Sequence, residues 1–572
     1  MKSVAGESRI TRFGAFELDG HAGELRKQGL KIRLQEQPLR ILQMLLESPG
    51  RLVTREELRS AIWPSNSYVD FDQGLNRAIN RLREALGDSA DSPRFIETLP
   101  KRGYRFLELA PTTAMGASIA VLPFLNLSTD PENELFADGM TEEIISTLTQ
   151  VKDLHVVART SSFSFKGKYL DLRSVGQQLN VRTVLEGSIR RSGNRLRITA
   201  QLVNAEDGYH LWSQRYEREV KDIFAIQEEI ARSIAETLEV TLDSQGRPVR
   251  GAGTQNIEAF KLYVRGRSLF FQRGVRLYAA VECLKKAVAL DPNYALAWSG
   301  LADAYHGVGF YGLASPENCM PQGKGAAARS IGLDPSLAEA HASLAVSHLL
   351  HEWDWSSAER EFLHSLELKP NNAFARAFYG LYYLQWAAGR FEEGLAHAKQ
   401  AAQIDPLSAW ARAILAVTYL PIDPAKSLET ALQSLEIDPE FYLGRWVQLS
   451  ALNLLDRLAE AAEVGEPALR SFGRPLWMMA ALARTYARLG RKADSEALYM
   501  ELKWRAKREY LGPLWLGVAA LAAGEKDEAM RLAQHAHAIG DPVLIGAKYW
   551  PELVDMREDP RFQEILRAKG WT

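Results

Sequence analysis

The chain has 572 residues, 46% hydrophobic and 24% charged, an ordinary globular composition in a chain too long for one hydrophobic core. Its 69 Lys/Arg against 71 Asp/Glu exclude a polycation or an acidic disordered chain, and two cysteines exclude a disulfide scaffold or a Cys-rich zinc site and fit a reducing compartment. Residues 1–110 hold 18 Lys/Arg and 15 Asp/Glu, a small basic head on an acidic body, which points the head toward an anionic partner.

Residues 11–110 mix strand and helix signals. Residues 13–18 and 31–34 read as short strands bounded by Gly. Residues 38–46 predict a helix with Leu39, Leu42 and Leu46 inward, stopped by Ser48-Pro49-Gly50. Thr54 caps the next helix, with Glu57 at the capping-box position, and Trp63-Pro64 breaks it. A third helix runs from about Phe71 to Leu86. Residues 94–99 and 104–109 form a hairpin with the basic tip Pro100-Lys101-Arg102-Gly103. At about 100° per residue, Leu75, Ala78, Ile79, Leu82 and Leu86 make one apolar stripe on the third helix. Opposite lie Gln73, Arg77, Asn80 and Arg81, with Asn76 and Arg83 on the flanks. Arg can hold guanine bidentately and Asn or Gln adenine, while Arg and Lys neutralise phosphates. On a lone helix such a face is simply solvated; the adjoining basic hairpin turns the reading toward DNA.

Residues 118–243 read as an α/β unit: a buried strand at 118–124, a helix at 132–151, a strand at 154–158, a short helix at 172–179, a hairpin of 183–190 with 195–204, and a closing helix at 223–242. Asp138 and Glu142 share a helix face and read as a solvated pair. Residues 244–255, rich in Gly and small polar residues, read as a linker. From 256 to about 543 the chain repeats. Asp291-Pro292, Asp334-Pro335, Lys369-Pro370, Asp405-Pro406 and Asp438-Pro439 close successive units at steps of 43, 35, 36 and 33 residues. The long step carries an insertion near 310–319, and residues 544–572 read as a helical cap. Trp298, Trp353, Trp355 and Trp410 read as core packing. The best apolar run, 514–523, is too short to span a membrane, and the N-terminus lacks a signal-peptide core, so a soluble, cytoplasmic protein with no membrane partner is expected. There is no GxxxxGK[ST] loop, no HExxH and no GxSxG, and His535 and His537 point to different helix faces. No catalytic, cofactor or metal site is therefore expected, and no enzyme.

The repeat, with a period near 34 and about eight helix pairs, resembles tetratricopeptide repeats; such arrays are stabilised by nearest-neighbour contacts and curve into a concave surface suited to a protein or peptide partner. The head, over 11–108, resembles the winged-helix DNA-binding domain of the OmpR/PhoB type, on Leu34…Pro38-Leu39-Arg40-Ile41-Leu42, Pro49-Gly50-Arg51-Leu52-Val53-Thr54-Arg55-Glu56-Glu57-Leu58, Asn76-Arg77-Ala78-Ile79-Asn80-Arg81-Leu82-Arg83 and Pro100-Lys101-Arg102-Gly103-Tyr104. That resemblance implies a third helix in the major groove, a wing that brings Lys101 and Arg102 to a minor groove, Thr54 and Arg55 near a phosphate at a helix N-terminus, and a loop from Trp63 to Asp70 that can meet RNA polymerase. Two departures stand out. About ten residues precede the head, so no receiver-domain phosphoacceptor is expected, and residues 108–118 are short and polar where activators of the CadC type carry a transmembrane helix. Residues 118–243 resemble the TolB-amino-terminal-like (FlgO-like) module, on Ile119-Ala120-Val121-Leu122-Pro123-Phe124, Phe136-Ala137-Asp138-Gly139-Met140 and Leu185-Glu186-Gly187-Ser188, which implies a non-catalytic oligomerisation or sensing role.

The expected architecture is thus multidomain: a winged helix-turn-helix (α+β) head, an α/β middle domain and an all-α tetratricopeptide superhelix. The expected function is a one-component, sequence-specific transcriptional regulator, binding double-stranded DNA as a homodimer, with the array as sensor or docking surface. The alternative is a tetratricopeptide scaffold in which DNA binding is secondary; steeply salt-dependent, specific promoter binding separates the two.

Overall fold

Four short antiparallel strands, β1 (Ile10–Phe13), β2 (Phe16–Asp19), β3 (Glu24–Lys27) and β4 (Leu30–Ile32), lead the chain as a meander. The computed structural model describes residues 10–107 except 14–15, 20–22, 28–29, 33, 48–49, 63–70, 87, 89–94 and 100–101; residues 117–238 except 129–131, 150, 152–153, 169–170 and 220–222; and residues 253–570 throughout. The expected loop from Trp63 to Asp70, Lys101 at the hairpin tip and most of the expected linker lie outside the described residues. The chain divides into two compact units, Met1–Met115 and Gly116–Thr572.

In the first unit the meander is followed by α1 (Glu36–Glu47), β5 (Leu52–Thr54), α2 (Arg55–Ile62), α3 (Phe71–Leu86), β6 (Ile96–Leu99) and β7 (Gly103–Phe106). The last three strands form a sheet in the order β5-β7-β6, all antiparallel. This is the winged-helix arrangement. The α3 stripe Leu75, Ala78, Ile79, Leu82 and Leu86 is buried in full and packs on α1. On α1 the inward residues are Ile41, Leu42 and Leu45, whereas Leu39 and Leu46 are only half-buried. The helix is rotated from the expected register because it must meet both α3 and the strand β7.

In the second unit, β8 (Ser118–Val121), β9 (Leu125–Asn126), α4 (Glu132–Leu148), β10 (His155–Val156), α5 (Arg159–Phe163), α6 (Leu172–Leu179), β11 (Thr183–Ser192), β12 (Arg195–Asn204), β13 (His210–Glu219) and α7 (Ile223–Thr237) build a mixed sheet. Its order is β10-β8-β11-β12-β13, parallel from β10 to β11 and antiparallel beyond, with β9 added beside β11. Strand alternation sorts β8 between two cores. Ile119 and Val121 face the cluster with Met140 of α4 and Ile230 of α7, while Ala120 joins Val175 and Leu179 of α6. Asp138 and Glu142 are not a solvated pair. Lys166 holds Asp138 at 2.5 and 2.6 Å and Arg159 lies 2.9 Å from Glu142, both carboxylates being largely covered. The partners sit 28 and 17 residues away, out of reach of a helix-face argument.

From Ile257–Gln272 to Lys526–Ala538, sixteen α-helices follow in eight consecutive pairs among the described residues, beginning α8 (Ile257–Gln272), α9 (Arg276–Leu290), α10 (Ala295–Phe310), α11 (Pro316–Leu333) and α12 (Ala338–Ser347). The array starts directly on the α/β module. α8 packs on α4, and the Phe260 ring lies so close to Gly139 that a Cβ there would stand 2.1 Å from it. Ser161 of α5 donates from its amide and hydroxyl to Asp405 at 3.1 and 2.5 Å, and its hydroxyl accepts from the Leu407 amide at 2.8 Å. A repeat-closing Asp-Pro turn therefore serves as a dock.

The superhelix also closes on itself. Gly312, at φ +64°, meets Gly512, where a Cβ would come within 2.9 Å of the Gly512 Cα. Behind them Phe310 and Tyr311 touch Trp477 at 5.4 and 4.9 Å between ring centres, and Trp550 from the C-terminal cap sits among Trp386, Trp446, Trp477 and Trp515 at 4.7–5.7 Å. Rings from the early repeats, the late repeats and the C-terminal cap thus share one hydrophobic core. No helix among the described residues is long and apolar enough to cross a membrane.

Candidate nucleic-acid interface

The interface is built from the start of α2, the solvent face of α3 and the β6–β7 wing. Thr54 and Glu57 form a reciprocal capping box: the Glu57 carboxylate accepts from the Thr54 amide at 2.7 Å and hydroxyl at 3.0 Å, and the Glu57 amide donates to the Thr54 hydroxyl at 3.2 Å. Those Thr54 bonds, chiefly the backbone one, together with Arg51, hold the Glu57 carboxyl below its usual range. Thr54 is thereby occupied as a cap.

Arg55 ties three elements together. Its amide donates to the Arg102 carbonyl at 3.1 Å, fixing the base of the wing to α2. Its guanidinium donates to Tyr104 Oη at 3.3 Å and to Asn76 Oδ1 at 3.2 Å, and Tyr104 Oη donates to the same Asn76 oxygen at 3.0 Å. With both lone pairs of that oxygen engaged, Asn76 lacks the acceptor half that adenine needs for a bidentate grip. It acts as a brace between α3 and the wing.

Arg83 is corrected more sharply. It is buried, at 6% exposure, and its Nη2 donates to the Ile96 carbonyl at 2.7 Å and to Thr98 Oγ1 at 2.8 Å. Seven residues, two helical turns, separate Asn76 from Arg83, so they share one flank. At Arg83 that flank is buried against the wing strands, whereas at Asn76 it is still exposed beside Tyr104 and Arg55. The opposite surface carries Arg77, Asn80 and Arg81, all exposed, with Arg81 also reaching Gln35. The side chain of Gln73, on the same face by spacing, is outside the described residues.

In the wing, Arg102 is exposed, and its amide donates to the Leu99 carbonyl at 3.0 Å to close the turn. Gly103 is required there, because a Cβ would stand 2.1 Å from the Val53 carbonyl oxygen. Two supports escaped the sequence reading. Asp88 Oδ2 accepts from the Phe95 and Ile96 amides at 3.2 and 2.8 Å, anchoring β6, and Arg105 pairs with Glu97 at 2.6 Å across the hairpin. The spacing of a polar residue just past a helix end signals the former only once the returning strand is placed beside it.

Comparison with known proteins follows the same three segments. Residues 29–106 match the family model for the C-terminal part of transcriptional regulatory proteins, residues 115–233 that for the second domain of HilA/YgeH-like transcriptional regulators, and residues 269–309 that for a TPR repeat. Putative adenylate cyclase 3 of Rhizobium meliloti is 42% identical over 234 residues, 40% of this chain and 40% of that protein. The transcriptional regulator HilA of Salmonella typhi is 24% identical over 430 residues, 72% of this chain and 74% of that one. A cholera toxin homolog transcriptional activator of Vibrio parahaemolyticus is 39% identical over 94 residues, 16% of this chain and 32% of that protein. The chain thus spans less than half of the cyclase-named relative and about three quarters of HilA.

Proposed function

The chain joins a winged-helix domain of the OmpR/PhoB type to a HilA/YgeH-like second domain and tetratricopeptide repeats, and from that premise we infer that it is a cytoplasmic, sequence-specific DNA-binding transcriptional regulator rather than an enzyme. One observation carries this: the exposed face of α3, with Arg77, Asn80 and Arg81, stands opposite a fully buried apolar stripe, in a domain whose wing is tied to it through Arg55 and Asn76. In this reading Arg77, Asn80 and Arg81, with Gln73, meet base edges and phosphates in the major groove. Lys101 and Arg102 approach a minor groove, Arg55 orients the wing, and Thr54, Asn76 and Arg83 hold the geometry. The loop from Trp63 to Asp70 meets RNA polymerase, and two copies occupy one operator. The α/β module and the array report a signal to the head. The cyclase name belongs to a relative of which the alignment covers 40%, and its activity is not carried over.

The test uses the full chain and duplexes it selects from a random pool. Binding should weaken steeply as salt rises, in proportion to the phosphates neutralised. Arg77→Ala or Arg81→Ala should cost about 1–3 kcal/mol and relax preference at one position if the side chain reads a base, whereas Arg102→Ala should weaken all duplexes alike. A pool that yields no preferred sequence, or variants that bind as the parent does, would overturn the assignment.

A further inference from the structure

One helix of the array turns an apolar row to solvent. The helix Lys492–Arg505 is the second of the seventh pair, and it buries Ser495, Leu498, Tyr499 and Leu502. At about 100° per residue, Ala493, Ala497, Met500 and Trp504 fall on the opposite side, at steps of four, three and four residues. All four are exposed, Met500 at 59% and Trp504 at 56%. A single exposed apolar side chain is ordinary, whereas a straight row along a helix is the seam that a second helix covers. The Arg508 guanidinium carbon stands 3.6 Å from the centre of the Trp504 ring, which fixes that ring at the surface.

The two flanks of that row differ in charge. On one, Glu496 and Lys503 are exposed and pair with no charge among the described residues. On the other, the acids are already matched: Arg491 holds Asp494 at 2.6 Å, and Arg474 holds Glu501 at 2.7 and 2.5 Å. The open flank thus carries one acid and one base, seven residues or two helical turns apart.

We propose that this face docks on the same face of a second copy of the chain, the two helices antiparallel about a twofold axis. Laid so that Ala497 meets the partner's Met500, Ala493 meets the partner's Trp504, and each large side chain enters the gap left by a small one. The same axis turns like flanks together, bringing Glu496 to the partner's Lys503 and Lys503 to the partner's Glu496. The other flank brings acids together, but each already carries its own arginine. A parallel pair would instead oppose Trp504 to Trp504 and set Glu496 near the partner's Glu501. The helix is its own complement in size and in charge, the mark of an isologous contact. Its 14 residues make a seam about 21 Å long, a contact in the small, reversible class below about 1,200 Å². Such a dimer is weak in free solution and, on DNA, raises the effective concentration of the second head. As self-association it stands by itself; as the pairing of two heads on one operator it rests on the function proposed above.

The test follows the full chain by sedimentation velocity from about 1 to about 100 μM. The parent should pass from monomer to dimer across that range, and Trp504→Glu should weaken the step by at least about tenfold. Charge reversal then checks the antiparallel register. Glu496→Lys and Lys503→Glu, each alone, bring like charges together and should weaken the dimer. The double variant Glu496→Lys/Lys503→Glu should recover it, because the twofold axis exchanges the two positions. All these positions are exposed, so each variant should melt where the parent monomer does. A parent that stays monomeric overturns the proposal, including one whose face binds phosphatidylserine vesicles instead. So does a dimer indifferent to Trp504→Glu, or a double variant no better than the singles. Duplex binding by the same preparation is read separately: a dimer that binds no duplex sinks the regulatory reading and keeps the surface, and a chain that binds its duplex but never self-associates sinks the surface alone.

Discussion

Glu143 provides a pH test of the joint between the α/β module and the array. It lies on α4 at 3% exposure, near Tyr294 of the array. Burial first, then the charge of Glu142, pushes its carboxyl up to about 8 from an ordinary 4.5, and the nearby Tyr294 hydroxyl offsets only part of that. Neighbouring groups do not reverse the sign: Glu142 is paired with Arg159, and Tyr263 and Tyr294 are themselves driven upward by burial. The folded state therefore keeps a proton that the unfolded chain has released. Stability from that proton is complete below 4.5 and is lost as pH climbs through about 8. At roughly 1.4 kcal/mol per pH unit, the loss between about pH 5 and pH 8 is on the order of 3–4 kcal/mol. Glu143→Gln keeps the shape and removes the titration. Urea melts of the full chain at the two pH values, followed by tryptophan fluorescence, should show the variant gaining on the parent by that amount as pH rises. A difference between the two chains that does not change with pH would refute the argument.

The internal role of Arg83 is checked beside the external role of Arg77. Arg83→Met should destabilise the head by about 2–4 kcal/mol, because the Ile96 carbonyl and Thr98 hydroxyl lose a buried donor, and should weaken DNA binding only through that loss of fold. Arg77→Ala should leave the melting transition where it is; a head melt lowered equally by both would return Arg83 to the surface.

Strong periodicity made the core elements legible. The third helix, expected from about Phe71 to Leu86, is found as Phe71–Leu86, and α6, expected at 172–179, is capped by Asp171 and found as Leu172–Leu179. The strands β3 (Glu24–Lys27), β5 (Leu52–Thr54), β9 (Leu125–Asn126) and β13 (His210–Glu219) have no counterpart in the sequence reading. β13 is an edge strand in which Tyr216 is the one fully buried side chain, and its run of Arg and Glu reads as loop although charge is what protects such an edge. Helical spacing placed Asn76 and Arg83 together on a flank but carried no word of what packs there; that depends on a hairpin some twenty residues on. The same gap hid the partners of Asp138 and the docking of Asp405 on Ser161, 244 residues apart. A repeat period announces the repeat, but the closure of the superhelix is a sum of small rotations that no single unit displays.

That closure changes how the array should unfold. A repeat array stabilised by neighbours alone melts in stages or frays from its ends. Here the second helix pair reaches the eighth through Gly312 and Gly512, and the cap inserts Trp550, at 2% exposure, against Phe310 near the start of the array and Trp515 near its end. These contacts make the second and eighth repeats share one core, so the array should lose structure in a single cooperative step. Trp550→Ala removes the side chain that touches both ends and leaves a cavity among Trp386, Trp446 and Trp477, at a cost of about 3–5 kcal/mol. It leaves each neighbouring helix pair intact. The expected result in urea is therefore a split, with far-ultraviolet ellipticity falling in two transitions where the parent shows one. A variant whose single transition merely moves to lower urea would mean that nearest-neighbour contacts already bind the array into one unit and that the ring closure adds stability without cooperativity.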